Sequence, residues 1–235
     1  MLGTESGPPA TFITMTKRIA LTATVIAALA AAVPALATVT VYSNNFKSKA
    51  SYKAITKQSG KKKRCKREWR KKSSLGVTVK GGRQNCALKT PVSGDSPQPD
   101  LIVRAETKIT GATEKAARNG AFIGVSVRSG RKHGYVFRVI PKRHRWELVE
   151  DKVVLDKGQD GAVEGIKKKN VLEIRAKGDT IVGKVNGKSM ISYRDPAPDD
   201  IASTGTGLVY GNVKKVKKKK AVGFFDKLRV GVPNP

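Results

Sequence analysis

Two closely spaced turn signals constrain this chain more than any other feature. Lys177, Gly178 and Asp179 separate the apolar positions Leu172, Ile174 and Ala176 from Ile181, Gly183 and Val185. Asn186-Gly187 then separates that run from Met190. Asn-Gly between alternating runs is the strongest short hairpin signal, because a type I′ turn needs positive φ at both central residues. Residues 171–193 are therefore expected to form a three-stranded antiparallel meander. Polar residues such as Glu173, Arg175 and Lys184 occupy the alternate positions, which predicts a sheet with one face buried.

The same pattern recurs along the chain. Alternating runs at 38–42, 75–80, 86–90, 101–107, 122–128, 135–140, 146–149, 171–176, 180–185, 189–193, 207–210 and 222–230 are separated by Gly, Asn, Asp and Pro. Many short strands at this spacing predict an all-β antiparallel sandwich or barrel. No helix is expected beyond the leader: 113–119 has room for one turn between Gly111 and Gly120. Residues 91–100, with Pro91, Gly94, Pro97 and Pro99, read as a loop. No linker or internal repeat interrupts 38–235, so one domain is expected there.

The first 37 residues read as an address. Lys17 and Arg18 precede the uncharged apolar run 19–33, Pro34 breaks it, and Ala35-Leu36-Ala37 supplies small residues in an A-x-A arrangement. A positive end, an apolar core and a small-residue exit form a secretory signal. A membrane-spanning helix is the competing reading, but the run falls short of the ~20 residues a bilayer needs. Residues 15–37 are thus expected to form a helical signal peptide cleaved after Ala37, with Met15 as its start and 1–14 as an upstream extension. In an exported protein Cys65 and Cys86 read as a disulfide rather than two separate thiols. Closing a loop of about 20 residues contributes about 3 kcal/mol.

Charge is concentrated. Lys and Arg total 47 against 18 Asp and Glu, a formal net charge of +29. Lys61, Lys62, Lys63, Arg64, Lys66 and Arg67 form one run, continued by Arg70, Lys71 and Lys72. Lys214, Lys215, Lys217, Lys218, Lys219 and Lys220 form a second; Lys167–Lys169 and the segment Lys142, Arg143, His144, Arg145 add two more. Lys at strand edges also discourages sheet-to-sheet aggregation, but +29 exceeds the ~2–8 that solubility asks of a small domain. Such a field attracts polyanions by steering and counterion release. Outside a cell these are anionic envelope polymers, acidic polysaccharides, phospholipid head groups at a membrane periphery, and DNA. Sequence-specific nucleic-acid readout is not expected, since no helix-turn-helix, zinc finger or RNP motif is present.

Several segments resemble a known family. Gly134-Tyr135-Val136-Phe137, Pro141 and Trp146-Glu147-Leu148 are similar to the central hairpin of the concanavalin A-like lectin/glucanase superfamily. Asn170-Val171-Leu172-Glu173-Ile174, Gly178-Asp179-Thr180-Ile181, Val185-Asn186-Gly187 and Phe225-Asp226-Lys227-Leu228-Arg229-Val230 are similar to its later strands. The resemblance covers 120–230 well and 38–110 loosely, and is nearest to laminin-G-like and 3-keto-disaccharide-hydrolase-type domains of secreted bacterial proteins. It implies a two-sheet jelly-roll sandwich. The superfamily includes lectins, adhesion modules, glycosidases and lyases, so fold does not fix activity.

The residues give chemistry little support. The glucanase branch carries its acids as E-x-D-x-x-E on one strand. With Glu147 as the first acid, Val149 and Lys152 stand in the other two places, so no catalytic residue is assigned. No G-x-S-x-G, H-E-x-x-H or P-loop is present. His133 and His144 lie in basic turns. Asp195, Asp199 and Asp200 are candidates for calcium, which takes six to eight oxygens, against an ordinary acidic turn; no other cofactor or metal is expected. Tyr135, Trp69 and Tyr193 are candidate stacking faces for a glycan, although Trp69 also fits a buried position. The expectation is a secreted non-catalytic module attaching to carbohydrate or to an anionic cell-envelope polymer. A sugar-processing enzyme of the 3-keto-disaccharide-hydrolase type, or a passive extracellular interaction domain, are the alternatives.

Overall fold

The expected meander forms. Strands β11 (Lys169–Lys177), β12 (Thr180–Val185) and β13 (Lys188–Arg194) pair antiparallel in sequence order. Asn186 and Gly187 both take positive φ, +51° and +87°, as a type I′ turn requires. The Asn186 side chain adds two bonds: its Oδ1 accepts from the Val171 N–H (2.7 Å) and its Nδ2 donates to the Ala162 carbonyl (2.8 Å). A second two-residue turn, Asp151-Lys152 with φ +44° and +76°, joins β9 (Arg145–Glu150) to β10 (Val153–Gln159).

The computed structural model describes residues 38–59, 65–70, 73–79, 82–93, 100–110, 119–130, 134–196, 204–216 and 221–233. The leader expected at 1–37 lies outside these. The remaining strands are β1 (Thr38–Asn44), β2 (Thr56–Ser59), β3 (Cys65–Arg70), β4 (Ser74–Val79), β5 (Gly82–Ser93), β6 (Leu101–Thr110), β7 (Ala121–Ser129), β8 (Tyr135–Ile140), β14 (Gly205–Val216) and β15 (Val222–Pro233). They form two antiparallel sheets. An eight-stranded sheet runs β13-β12-β11-β6-β15-β4-β3, with β1 beside the far half of β15. A seven-stranded sheet runs β10-β9-β8-β7-β14-β5-β2. This is an all-β jelly-roll sandwich.

The core lies between the sheets. Leu101, Val103, Ala105, Leu172, Ile174, Ile181 and Phe225 face inward from the first sheet; Ile123, Val125, Phe137, Leu148, Leu208 and Tyr210 face them from the second. Alternation along each strand sends every second side chain to the core. Two contacts fix how closely the sheets approach. A Cβ on Gly183 of β12 would stand 2.5 Å from the Phe137 ring, and one on Gly223 of β15 would stand 2.4 Å from the Tyr210 ring. Each ring occupies space that only glycine leaves open.

Cys65 on β3 and Cys86 on β5 are disulfide-bonded, with Cα atoms 5.6 Å apart. The two strands belong to different sheets, so the bridge ties the sandwich across its core.

Several expectations need correction. A helix does occur: α1 (Lys49–Ala54) starts at a capping box in which Ser48 Oγ accepts from the Ser51 N–H (3.0 Å) and Ser51 Oγ from the Ser48 N–H (3.3 Å). At six residues it is too short to show helical periodicity. Residues 91–100 are not all loop, because β5 runs to Ser93. Pro91 is tolerated because the pairing with β14 shifts register there and β2 pairs no further than Lys89, so no ladder bond needs its missing N–H. Strands β2, β3 and β10 were not anticipated. β3 is hidden within a basic run, and β10 is exposed at most positions and shows no alternation. The possible turn at 113–119 lies almost wholly outside the described residues.

Two stability outcomes are expected. Asn186→Val removes both side-chain bonds and places a β-branched residue at positive φ, so it should lower stability by about 2 kcal/mol or more; thermal unfolding against the wild type measures this. Reducing the Cys65–Cys86 bond should lower the melting temperature, consistent with a loss of about 3 kcal/mol; scans with and without reductant, alongside thiol titration, read the shift.

Candidate functional site

Sheet register decides which side chains meet on the outer face of the eight-stranded sheet. Asp226 on β15 pairs with Glu106 on β6, and Arg229 pairs with Arg104. Two residues of β6 thus face three steps of β15, and the extra residue, Lys227, takes φ +45°. This bulge turns Lys227 to the outer face. Its Nζ donates to Glu106 Oε1 (2.7 Å), while Lys169 Nζ, from β11, donates to Glu106 Oε2 (3.2 Å). Like charges directly opposite on paired strands are destabilising; here the two ammonium groups offset the Glu106–Asp226 pair. The Lys227 hydrogen bond, ahead of that from Lys169, holds the Glu106 carboxyl below the usual carboxylate range, while partial burial opposes the shift.

Above these residues lie two open cavities. The larger, about 440 Å³, is lined by Ser73, Ser74, Glu106, Lys108, Phe224 and Asp226 among others. The smaller, about 210 Å³, is lined by Arg104, Glu106, Val171, Lys227 and Arg229. Glu106 borders both. Phe224 is half-buried and pairs in register with Lys108, which pairs in turn with Lys169.

Topology brings the strand ends that flank the basic runs to one end of the sandwich. β2 heads toward, and β3 starts from, the end of the sandwich where β4, β6, β8 and β14 finish and β7, β9, β11 and β15 begin. Lys66, Thr78, Val222 and Thr110 form one row there. Lys142, Arg143 and Arg145 occupy the β8–β9 connection, and the Lys167 N–H donates to the Ile109 carbonyl (2.9 Å) at the same end. Lys61, Lys62, Lys63 and Arg64, which join β2 to β3, lie outside the described residues, as do Lys217, Lys218, Lys219 and Lys220, which join β14 to β15; the strand ends they connect are at this end. Lys66 is exposed, and Arg67 lies over the Tyr52 ring, 5.4 Å from its centroid. At the opposite end lie Asp100, Asp179 and Asp195 together with Arg70, Lys152, Lys177 and Arg194, the last paired with Asp179.

The remaining candidates fall elsewhere. Tyr135 is fully buried and its hydroxyl donates to Asp195, so it has no face to offer a sugar. Burial first, then that hydrogen bond, pushes its phenol well above the ordinary range. Trp69 shares an inward row with Leu75, and its Nε1 donates to the Phe46 carbonyl (2.7 Å), which makes it a packing anchor. Tyr193 is half-buried beside Tyr135, ring centroids 6.3 Å apart, away from both cavities. Asp195 is engaged by Tyr135; Asp199, Asp200 and His133 lie outside the described residues. Among the described residues no group of three or more His, Cys, Asp or Glu is placed to hold a metal. His144 Nδ1 donates to the Val163 carbonyl (2.6 Å) in a loop contact.

Glu147 sits on the outer face of the seven-stranded sheet and is only 3% exposed. Arg138 reaches its Oε2 through Nε (2.7 Å) and Nη2 (2.6 Å), and Arg145 reaches its Oε1 (2.8 Å). Both carboxylate oxygens are thus held by guanidinium groups. Val149, at 4% exposed, fills the place of the second glucanase acid, and Lys152 stands in the turn. The surrounding Phe122, Ile140 and Val209 form a small apolar cluster, with Arg138 stacked 4.3 Å from the Phe122 ring centroid.

Phe224 is the residue that sequence reading missed. A Phe-Phe pair on a strand must send one ring in and the other out, and that signal was present at Phe224-Phe225.

The architecture and its closely packed sheets define the concanavalin A-like lectin/glucanase jelly-roll fold. Solved structures of the same fold include a carbohydrate-binding module from Bacillus subtilis (17% identity, TM-score 0.53, covering 76% of this chain and 95% of that one). A protein of unknown function with a galectin-like fold, also from Bacillus subtilis, matches at 12% identity and TM-score 0.58, covering 83% and 98%. A Bacillus licheniformis β-glucanase matches at 7% identity and TM-score 0.56, covering 82% and 98%. No family profile and no curated protein matches the sequence. The fold is thus shared by carbohydrate-binding modules and glycoside hydrolases.

Protonating Glu106 removes the anion between two ammonium groups. Its folded-state pKa is lowered, so its contribution to stability is present above the unfolded value of about 4.3 and is lost as pH falls through the folded value. Melting temperature followed from neutral to acidic pH should show a decline below about pH 4 that is shallower in Glu106→Gln; identical acid limbs would contradict the assignment.

Proposed function

We propose that this protein is an exported, non-catalytic binding module that attaches to anionic carbohydrate or another anionic cell-envelope polymer through its basic end. The observation that carries this reading is that Lys66, Lys142, Arg143 and Lys167 lie at one end of the sandwich, where the strands flanking two further Lys-rich segments also end. A linear polyanion binds such a surface by releasing counterions. The disulfide fits an oxidising compartment, and the segment 15–37 fits removal during export. The fold supports a carbohydrate-related role without fixing which one.

The sugar-processing alternative fares less well. Glycoside hydrolysis uses a protonated acid beside an ionised partner. Glu147 has both oxygens held by arginines, and Glu106 is held ionised by Lys227 and Lys169.

Retention on immobilised polygalacturonate, polyphosphate and neutral dextran, measured across a salt series, tests the proposal. Expected is binding to the anionic polymers that falls steeply with salt, with none to dextran. Salt-resistant binding to a neutral glycan, or turnover of a 3-keto-sugar, would overturn it. No retention on any polymer would favour a passive interaction domain.

A further inference from the structure

We propose that the cavity over Phe224 is a subsite for one acidic sugar residue, a uronate within a polymer chain. This rests on the polyanion-binding reading and names the chemistry that reading leaves open. The larger cavity, about 440 Å³, is the size of a small-molecule site, and the smaller one continues from it past Glu106.

Its lining is a matched set. Phe224 is an aromatic ring left half-exposed in a cavity whose other named lining residues are charged or hydroxyl-bearing, with Val171 lining the adjoining one. Its register partner on β4 is Gly76, over which the Arg70 side chain lies in place of a Cβ. Such a ring offers an apolar face to the C–H face of a sugar. On its other side Lys108 is half-buried, and among the described residues no acid pairs with it. An ammonium group lining a cavity with no acid partner among the described residues attracts an anion. Glu106 has one bond to each oxygen, and an ionised carboxylate has about four acceptor positions. Glu106 and Asp226 therefore still accept hydrogen bonds from hydroxyl groups.

These requirements select the ligand class. A neutral sugar would satisfy the ring and the carboxylates but leave Lys108 without an anion. A polyphosphate would satisfy Lys108 but offers the ring no apolar face, and Glu106 and Asp226 no hydroxyl donors. A uronate residue presents a ring face, hydroxyl donors and one carboxylate together.

The test is calorimetric titration of the exported protein with tetragalacturonate, its methyl ester and a short linear polyphosphate. Salt is held at about 0.15 M, where exposed charges are screened beyond ~8 Å. Phe224→Leu and Lys108→Gln should each weaken tetragalacturonate binding by roughly tenfold. Phe224→Leu should leave polyphosphate affinity unchanged, and the ester should bind more weakly than the acid. Lys108 faces solvent at the cavity, so an unaltered melting temperature in Lys108→Gln separates loss of binding from loss of folding. If Phe224→Leu and Lys108→Gln bind tetragalacturonate like the wild type, the subsite is refuted. The basic-end reading then still stands provided that Lys217→Ser, Lys218→Ser, Lys219→Ser and Lys220→Ser together abolish polyanion binding. Equal affinity for acid and ester would refute the acidic class. Failure of the wild type to bind any anionic probe would refute both readings.

Discussion

The approach of two aromatic rings onto two glycines sets the geometry on which everything else rests. Phe137 and Tyr210 reach across from the seven-stranded sheet and fill the positions where Gly183 and Gly223 lack a Cβ. Core packing is dense, and one extra carbon at either site would force the sheets or rings to shift. Because Gly223 must face inward beneath Tyr210, alternation along β15 sends Phe224 outward, Phe225 inward and Asp226 outward. Phe225 is accordingly fully buried. The bulge at Lys227 then resets the parity, so that Leu228 and Val230 return to the core and Arg229 faces out. The outer-face cavity is a consequence of how the inner face is packed.

A chain of net charge +29 needs a place for its repulsion. The strand order supplies one. Adjacent antiparallel strands place alternate connections at opposite ends of the sandwich, so the strand ends flanking basic segments far apart in sequence share one end. Asp100, Asp179 and Asp195 sit at the other, where buried Arg128 donates to the Gly178 carbonyl (2.6 Å). Desolvation lowers the Arg128 pKa and the nearby acids oppose that shift.

Much of this was legible in the residues because it is local. Asn186-Gly187 dictates its own turn, and alternation on β11 and β12 dictates which side faces inward. Where reading failed, the cause was non-local or masked. β3 carries Cys65 and Trp69 inward on an edge strand, but its outward positions are charged and sit inside a basic run, so composition hid its period. Tyr135 looked like a stacking residue; burial followed from its place on an inner strand against Asp195, a partner sixty residues away. The Glu106–Asp226 pair is separated by about half of the chain, and only sheet register brings the two acids face to face. Nothing in either segment announces the other.

That pair also decides how the groove holds its acceptors. Two opposed carboxylates in a sheet have two ways to relieve repulsion: one takes up a proton, or cations move in. Sharing a proton raises the pKa of one acid and produces a general acid. Here the bulge inserts Lys227 and the neighbouring strand supplies Lys169, and the Glu106 pKa is lowered instead. Glu106 therefore stays an acceptor across the neutral range, fixed at both oxygens by donors from different strands. A site with its acid held ionised lacks the proton that a glycosidic leaving group requires, yet it presents rigid acceptors beside an aromatic ring and an ammonium group. The bonds that offset repulsion across this register are the same ones that hold Glu106 as an acceptor in the groove.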